Sequence, residues 1–529
     1  MDGSLIPWME WGEAAFARAR AENKPILLHI GATWCHWCHV MDEGTYAHPT
    51  VARLVAERFV PVRVDTDHRP DVNDRYNHGG WPTVAVLDAR GEVMMGRTYT
   101  PAGELAMLLQ SLADGQGRWS LSPTPPEPVP TEPIAIARVR EALDKAYDPY
   151  HGGFGDFQKF PHPDLCEWLL DRRILGEDDG GRLAKTLDGM ADGGMYDPWE
   201  GGWHRYATHD DWSDPHYEKM LEDTARLVRL YTRAATATGH PGWRRAAEKA
   251  VRWALEHLWL DDAGAFGGSQ DADEGYYALP LPERRDPPRV DRTVYAGWNG
   301  LMITALVRAS AAWDRPGLAA LALRVGATLR GRIADGRVSR TGAGIAGLLT
   351  DQIEVAEGNL ALFQLTGDPA WRDGVATLAW ARDHLAAPGG GLADAPPELG
   401  LLRLSRRPMV FNAHAADAAW RLGHLTGDAA WLQLARAWAD AALAEAEPWG
   451  FMAGTAARAG ERIARKAVVV KVNDAALLRA LLADPDPDLL ALADASVPAG
   501  HAMACSGTAC ARPVATREEL ARAVAMLKG

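Results

Sequence analysis

The first part of the chain alternates short apolar runs with helical patterns. Apolar residues with helical spacing occur at Val51–Phe59, before the second apolar run, and at Ala102–Leu112, after the last one. Apolar runs of this length, bounded by turn residues, are typical of buried strands. The pattern therefore predicts a small α/β domain over residues 1–118. Its predicted strands are Pro25–Ile30, Val60–Asp65, Thr83–Leu87 and Val93–Tyr99.

Prolines end this domain. The run LSPTPPEPVPTEP, from Leu121 to Pro133, removes backbone donors and fixes φ, so neither a helix nor a sheet can continue through it. We predict a linker over 119–133 and a helical domain over 134–500. A C-terminal segment over 501–529 would carry two cysteines and a short helix.

Two kinds of turn alternate along the helical region. Tight turns recur at Ala237–Trp243, Leu365–Trp371 and Leu425–Trp431, where Gly suits the left-handed position at a helix end. Glycine-rich turns such as Pro388–Asp394 follow other helices. This alternation is typical of stacked antiparallel helical hairpins, and it predicts an (α/α)6 toroid with the functional site at the loop-rich mouth. The fold class is thus α/β followed by all-α.

Composition and charge exclude some partners. The formal net charge is −14 and no Lys/Arg-rich run occurs, so we expect no nucleic-acid partner. No window approaches the roughly 20 apolar residues that span a bilayer, and the N-terminus lacks a signal-peptide pattern, so we expect a cytoplasmic protein with no membrane partner. Five cysteines cannot form a disulfide framework, which points to redox, catalytic or metal-binding roles for any pair.

One such pair is Cys35 and Cys38, in WCHWCH between the first predicted strand and a helix. A thiolate at a helix N-terminus is stabilised by free backbone N–H groups, so we expect Cys35 to be the nucleophile and Cys38 the resolving thiol. Trp81 and Pro82 should form a cis peptide beside this pair and present backbone to an extended substrate. The alternatives are c-type haem attachment, with His39 as axial ligand, and a structural zinc. We expect neither a cofactor nor a metal.

Motifs spread over nearly the whole chain resemble the spermatogenesis-associated protein 20 family. The resemblance implies a thioredoxin-like domain joined to a six-hairpin-glycosidase-like α/α barrel, of the kind also seen in sugar 2-epimerases. It also implies a redox motif. The motifs are Cys35–Met41, Arg69–Asp71, Gly80–Thr83, Gly152–Phe154, Lys159–Pro161, Gly201–Tyr206, Pro215–Leu221, Asp271–Asp273, Gly297–Met302 and Cys505–Pro513.

The sequence departs from that family in three places. The lead before Trp8–Phe16 is shorter, and so is the stretch between Arg69 and Trp81, which would open one side of the cysteine site. His29 stands where thioredoxins often carry a buried acid. It would either accept a proton during exchange or be a packed, hydrogen-bonded strand residue.

The remaining cysteines lie outside the first domain. Cys505 and Cys510 flank a short Gly-containing loop and would serve as a redox partner for the first pair, a loop-end staple, free thiols or metal ligands. Cys166 lies in a helical run and is predicted to be buried packing.

Candidate barrel residues lie in or beside the family motifs. A glycosidase needs two carboxyl groups, for which Glu218 with Asp271 or Asp273 would serve. A sugar 2-epimerase needs two bases, for which His204 with His414 would serve. The alternative is that these side chains are helix caps and ion pairs in a non-catalytic toroid. Predicted ligand-contacting residues are Trp203, His216, Trp298 and Asn299.

The leading hypothesis is a thiol–disulfide protein with a protein thiol or disulfide partner, whose barrel binds or processes a carbohydrate-like ligand. One alternative makes the barrel an epimerase, isomerase or glycosidase and the first domain structural. Another makes the barrel a scaffold that presents client proteins to the CxxC site. We expect His204, Glu218, Asp271 and Asn299 to converge on one cavity, and barrel shape alone carries the sugar inference.

Overall fold

The four apolar runs of the N-terminal region form one mixed sheet. The computed structural model describes residues 5–115, 133–342 and 344–528. Its first strands are β1 (Ile26–Gly31), β2 (Val60–Asp65), β3 (Thr83–Leu87) and β4 (Val93–Arg97). β1 pairs in parallel with β2 and antiparallel with β3, and β3 pairs antiparallel with β4, so the order is β2-β1-β3-β4. The predicted α/β domain is confirmed.

Helices cover both faces of this sheet, because β1 and β3 are apolar on both faces. Ile26, Leu28 and Ile30 pack in one cluster with Phe16, and Leu27 packs in the other. The helices are α1 (Glu13–Glu22), α2 (His36–Met41), α3 (Pro49–Arg58), α4 (Pro70–Tyr76) and α5 (Ala102–Ala113).

A distant segment completes this unit. The chain divides into two units, Met1–Val129 with Ala395–Arg406, and Pro130–Asp394 with Arg407–Gly529. Leu401 and Leu402 are buried in the first unit's core cluster, and the Leu401 N–H donates to Tyr76 Oη at 2.7 Å. The sequence pattern had assigned this segment to the helical domain. Residues 119–132 of the predicted linker lie outside the described residues.

Six helices of the second unit form a closed ring, in which each contacts the next and the last contacts the first. The predicted six-hairpin toroid is confirmed. The inner helices are α7 (Pro163–Ile174), α9 (Leu221–Thr238), α12 (Ala296–Trp313), α14 (Leu349–Thr366), α17 (Met409–Thr426) and α19 (Gly454–Ala464). The outer helices are α6 (Ile136–Ala146), α8 (Arg182–Asp192), α10 (Pro241–His257), α13 (Pro316–Arg330), α15 (Pro369–Asp373) with α16 (Ala376–His384), and α18 (Ala429–Ala444).

The tight turns follow the inner helices, as predicted. α14 ends at Gly367 and α17 at Gly427, with φ of 68° and 73°, a conformation that favours glycine. Asp368 and Asp428 then cap the next helices by accepting backbone N–H groups. The longer loops, at the opposite helix ends, carry α11 (Glu274–Tyr277) and short strands. These strands are β5 (Tyr206–Ala207), β6 (Pro215–His216), β7 (Lys219–Met220), β8 (Trp259–Leu260), β9 (Ala265–Phe266), β10 (Ser269–Gln270), β11 (Val290–Asp291), β12 (Ile333–Ala334) and β13 (Arg337–Val338).

The last 60 or so residues add a second four-stranded sheet, where the sequence pattern extends the helical barrel to residue 500. The order of its strands, β15 (Leu489–Ala493), β14 (Val468–Val472), β16 (Ala502–Ser506) and β17 (Ala509–Cys510), is β15-β14-β16-β17, and two helices pack on it. In the described part of the chain, no helix is long and apolar enough to cross a membrane. The two helices on the second sheet are α20 (Ala475–Ala483) and α21 (Arg517–Lys528).

We predict that Leu401→Ala destabilises the first unit, although the residue lies far from it in sequence. Removing a buried leucine side chain costs about 2–5 kcal/mol. Hydrogen exchange measured by mass spectrometry should show faster exchange of the β1 and β3 amides. Arg403→Ala is the control, since its pair with Glu92 is exposed and worth little. Unchanged exchange in the Leu401 variant would show that the segment is not part of this core.

Candidate functional site

Cys35 lies at the N-cap of α2 and forms a disulfide with Cys38. The Cys35 Sγ atom accepts the backbone N–H of Cys38 at 3.1 Å. The cysteines are 5% and 3% exposed. A helix N-terminus has unpaired N–H groups and a positive dipole end, so the backbone stabilises negative charge on this sulfur once the bond is reduced.

The Trp81–Pro82 peptide is cis, which confirms the sequence prediction. The Trp81 ring packs edge-on against Trp34, with ring centroids 5.5 Å apart, and Trp34 immediately precedes Cys35. Trp34 Nε1 donates to Asp67 at 2.7 Å, and Trp81 Nε1 donates to Asn73 at 3.1 Å. These contacts hold the proline loop beside the cysteine loop.

His29 lies beneath the cysteines. A Cβ atom on Gly31 would meet His29 Nε2 at 2.9 Å and Cys38 Sγ at 3.4 Å, so the two atoms flank one spot. His29 Nδ1 is 3.1 Å from the Tyr46 hydroxyl. Burial, with a smaller contribution from Arg63, lowers the pKa of His29 well below its ordinary value. A histidine with this pKa is a weak base, which favours the packed, hydrogen-bonded interpretation.

The second cysteine pair is also a disulfide. Cys505 and Cys510 face each other across the hairpin of β16 and β17, and Cys510 is exposed. Cys166 is a buried free thiol, and burial raises its pKa.

In the barrel, His204 and His414 belong to different contact networks among the described residues. His204 is buried, and its Nδ1 donates to the Tyr217 carbonyl at 2.9 Å. Burial lowers the pKa of His204 to about 3, so the ring is neutral. His414 Nε2 lies 3.1 Å from Asp164 Oδ2, which also receives Arg226 at 3.4 Å.

Several predicted ligand-contacting residues have structural partners. The Asn299 amide accepts the N–H of Phe266 at 2.9 Å and donates to the carbonyls of Phe266 and Tyr295. It therefore fastens a glycine-rich turn and does not join Glu218. Trp203 is fully buried against Tyr196 and Tyr231, and Trp298 is buried against Tyr295.

The two aspartates of the Asp271–Asp273 motif lie just past β10. Asp271 Oδ1 accepts the Ala272 N–H. Asp273 is exposed and caps α11 by accepting the Tyr276 N–H at 2.9 Å. In the antiparallel pairing of β10 with β7, Gln270 lies opposite Lys219, so the next position, Asp271, lies opposite Glu218. Asp273 is not part of this pairing and caps a helix instead.

Glu218 has an acidic neighbour, Asp223, to which the sequence analysis assigns no catalytic role. Glu218 is buried, its Oε2 has no hydrogen-bond partner among the described residues, and its Oε1 lies 3.7 Å from His216 Nδ1. Burial, together with the charges of Glu222 and Glu218, raises the pKa of Asp223 to about 7. Asp223 occupies the first turn of α9, where an acid is an ordinary N-terminal charge. Its place just after the Pro215–Leu221 motif makes it a candidate in the sequence, but the sequence gives it no specific role.

A stack of three rings stands next to these carboxyl groups. Tyr206 stacks on His216 with centroids 4.4 Å apart, and Phe160 stacks on the other side at 4.6 Å. Phe160 and His216 are each about two-fifths exposed. The barrel mouth therefore offers a flat aromatic surface beside a buried carboxylate.

One group in the described part of the chain has ligand atoms close enough to hold a metal ion. The ligand atoms of Asp148, His151 and Asp210 lie within 4.8 Å of one another. Asp148 already receives Lys159 at 2.8 Å, and the other two residues are exposed.

Comparisons with known proteins bear on both units. The family described as "Thioredox_DsbH: Protein of unknown function, DUF255" matches residues 3–114. Spermatogenesis-associated protein 20 of Homo sapiens is 32% identical over 325 residues, which is 54% of this chain and 40% of that protein. The resemblance to the spermatogenesis-associated protein 20 family is confirmed. The chain thus covers well under two thirds of the length of the curated relatives it matches.

Two further similarities are partial. The thiol:disulfide interchange protein DsbD 1 of Pseudomonas aeruginosa is 37% identical over 84 residues, 15% of this chain and 14% of that protein. The structure of cellobiose 2-epimerase from Spirochaeta thermophila has 16% identity and a TM-score of 0.47, and the similarity covers 62% of this chain and 94% of that chain.

We predict that, in the reduced protein, Cys35 is alkylated before Cys38, because the helix N-terminus lowers the pKa of its thiol below the ordinary value of about 8.5. Limiting iodoacetamide at mildly acidic pH, followed by peptide mass spectrometry, measures the order. Cys166 is the internal control, since it should react only after denaturation. Faster labelling of Cys38 would reverse the assignment of the nucleophile.

Proposed function

We propose that the first unit exchanges dithiols and disulfides with a partner protein. The observation that carries this is Cys35 Sγ at the start of α2, hydrogen-bonded to the Cys38 N–H and beside the cis Trp81–Pro82 peptide. The similarity to a protein named as a thiol:disulfide interchange protein supports it.

The exchange proceeds in two balanced steps. The Cys35 thiolate attacks one sulfur of the partner's disulfide, that S–S bond breaks, and the other partner sulfur leaves as a thiolate. Cys38 then attacks Cys35 Sγ, forms the Cys35–Cys38 bond and releases the second partner thiolate. Two electrons pass to the partner, and the reverse sequence oxidises a partner dithiol.

The surface around the pair suits an extended polypeptide. In this arrangement the residue before the cis-proline offers its backbone to a partner strand. Trp37, between the cysteines, is 52% exposed and its ring lies 5.2 Å from Tyr99. These rings would contact apolar side chains of the partner.

The predicted cytoplasmic location and the predicted absence of a nucleic-acid partner stay predictions.

We expect Cys35→Ser to abolish reduction of insulin disulfides by the protein in the presence of dithiothreitol, because the attacking sulfur is gone. Reduced Cys38→Ser, freed of dithiothreitol before insulin is added, should still form the mixed disulfide and should accumulate it, since no second thiol is present to resolve it. Turbidity measures the first effect and non-reducing mass spectrometry the second. Cys166→Ser is the matched control and should match the unaltered protein. Full activity of the Cys35 variant would refute the proposal.

We further propose that the barrel mouth binds a carbohydrate-like ligand. The Phe160–Tyr206–His216 stack would lie against a sugar face, while Glu218 would accept ligand hydroxyls with its unpartnered Oε2. Asp223, whose raised pKa lets it carry a proton close to neutral pH in part of the molecules, and Glu218 would form an acid and base pair. Such a pair would permit processing as well as binding.

We predict that Glu218→Gln weakens binding of neutral sugars about tenfold or more, since hydrogen bonds to charged groups contribute about 1.5–3 kcal/mol. Saturation-transfer NMR with glucose, mannose and cellobiose measures this. His216→Ala should also weaken binding, whereas His384→Ala, which removes an exposed histidine stacked on Trp380, should not. Insulin reduction should be unchanged in all three variants. Equal binding by the Glu218 and His216 variants and the unaltered protein would exclude the mouth as a sugar site.

A further inference from the structure

A separate cavity lies inside the ring of inner helices. Its volume is about 140 Å³, and all six inner helices contribute to its lining, together with Leu481–Ala491 of the C-terminal layer. One water needs roughly 10–15 Å³ of such space, so the cavity can hold a polyatomic ion with several waters. Glu218 and His216 do not line it.

Arginines dominate the charge of this cavity, and four of the six have carboxylate partners. Glu167 receives Arg229 at 3.3 Å and Arg233 at 2.5 Å, and Asp171 receives Arg458 at 2.7 Å. Arg462 pairs with Asp417. These pairs neutralise one another in the way that buried charges require.

The other two, Arg308 and Arg421, form no ion pair among the described residues. Glu357, a further carboxylate that lines the cavity, has an Oε2 atom with no hydrogen-bond partner there. Arg308 donates through one nitrogen, Nη1, to the carbonyls of Ala483 and Asp484 at 3.5 and 3.2 Å. Arg421 donates through Nη2 to Gln364 Oε1 at 2.7 Å. Each guanidinium has five N–H donors, so most of them are unused where both side chains line the cavity.

Arg308 and Arg421 are half-buried, and a cation without an ion-pair partner is unfavourable in such a position, the more so beside other positive charges. Burial, followed by the positive charge of Arg233, lowers the pKa of Arg308 to about 9. Burial also lowers the pKa of Arg421. An anion between the two guanidiniums would supply the missing charge and accept the unused donors.

We propose that this cavity binds a tetrahedral oxyanion, phosphate or the phosphate group of a small metabolite, between Arg308 and Arg421. The planar forked donors of arginine match the oxygen spacing of such a group, and neither guanidinium is engaged in an ion pair among the described residues. The proposal is independent of the sugar site at the mouth.

Calorimetric titration of the 529-residue chain tests this with three probes: inorganic phosphate, sulfate and glucose 6-phosphate. We expect phosphate to bind and to raise the melting temperature. Arg308→Met and Arg421→Met should each lower phosphate affinity at least tenfold, and Arg308→Lys should restore part of it. Arg382→Met, which removes an exposed arginine of α16, should bind phosphate normally.

The probes separate the two sources of the group. Glucose 6-phosphate binding at least tenfold tighter than phosphate would identify a phosphorylated metabolite, and equal or weaker binding would identify free phosphate. Circular dichroism establishes whether each variant is folded. If one of the two methionine variants does not fold, the other still tests the proposal. Absence of binding by all three probes, or unchanged phosphate affinity in both folded methionine variants, would overturn the proposal.

Discussion

The ion pairs that close the ring of inner helices are the interaction on which the second unit depends. Glu167 and Asp171 lie on α7, the first inner helix, and both bind Arg233 from α9 and Arg458 from α19. The last helix is thereby tied to the first two. Loss of one partner would leave an uncompensated buried charge, which typically costs about 3–5 kcal/mol. The network therefore specifies ring closure, whatever its net stabilisation.

The same arginines hold the C-terminal layer. Arg233 donates to the Pro485 carbonyl at 2.6 Å, and Arg462 donates to the Pro487 carbonyl at 2.5 Å. Arg308 reaches the two residues just before Pro485. The layer thus satisfies its turn carbonyls with guanidinium donors from the ring. Because a carbonyl carries no net charge, these bonds consume donors and leave the positive charge of Arg308 unbalanced.

Sequence reasoning succeeded where the determinants are local. The cysteine pair at a helix start, the cis-proline and the Gly turns after inner helices each depend on a few adjacent residues. It missed features made by distant contacts. Leu401 packs with a core that begins 390 residues earlier in the chain, and no pattern within Ala395–Arg406 announces this. The Glu167 network likewise joins helices whose charges look like solvated surface in sequence.

Asn299 shows how a polar motif can mislead and what signal would have corrected it. Asn412, in the inner helix α17, makes the same set of bonds as Asn299 in the inner helix α12. It accepts the Leu392 N–H and donates to the carbonyls of Leu392 and Pro408. Both asparagines lie in the first turn of an inner helix and follow a glycine-rich turn.

A residue that recurs at equivalent positions of structural repeats has a structural role, because each repeat must hydrogen-bond its own turn to its inner helix. Glu218 has no such counterpart among the bonds of the described residues, and its Oε2 atom has no hydrogen-bond partner there. Repetition therefore separates the residues that build the barrel from those available to act at its mouth.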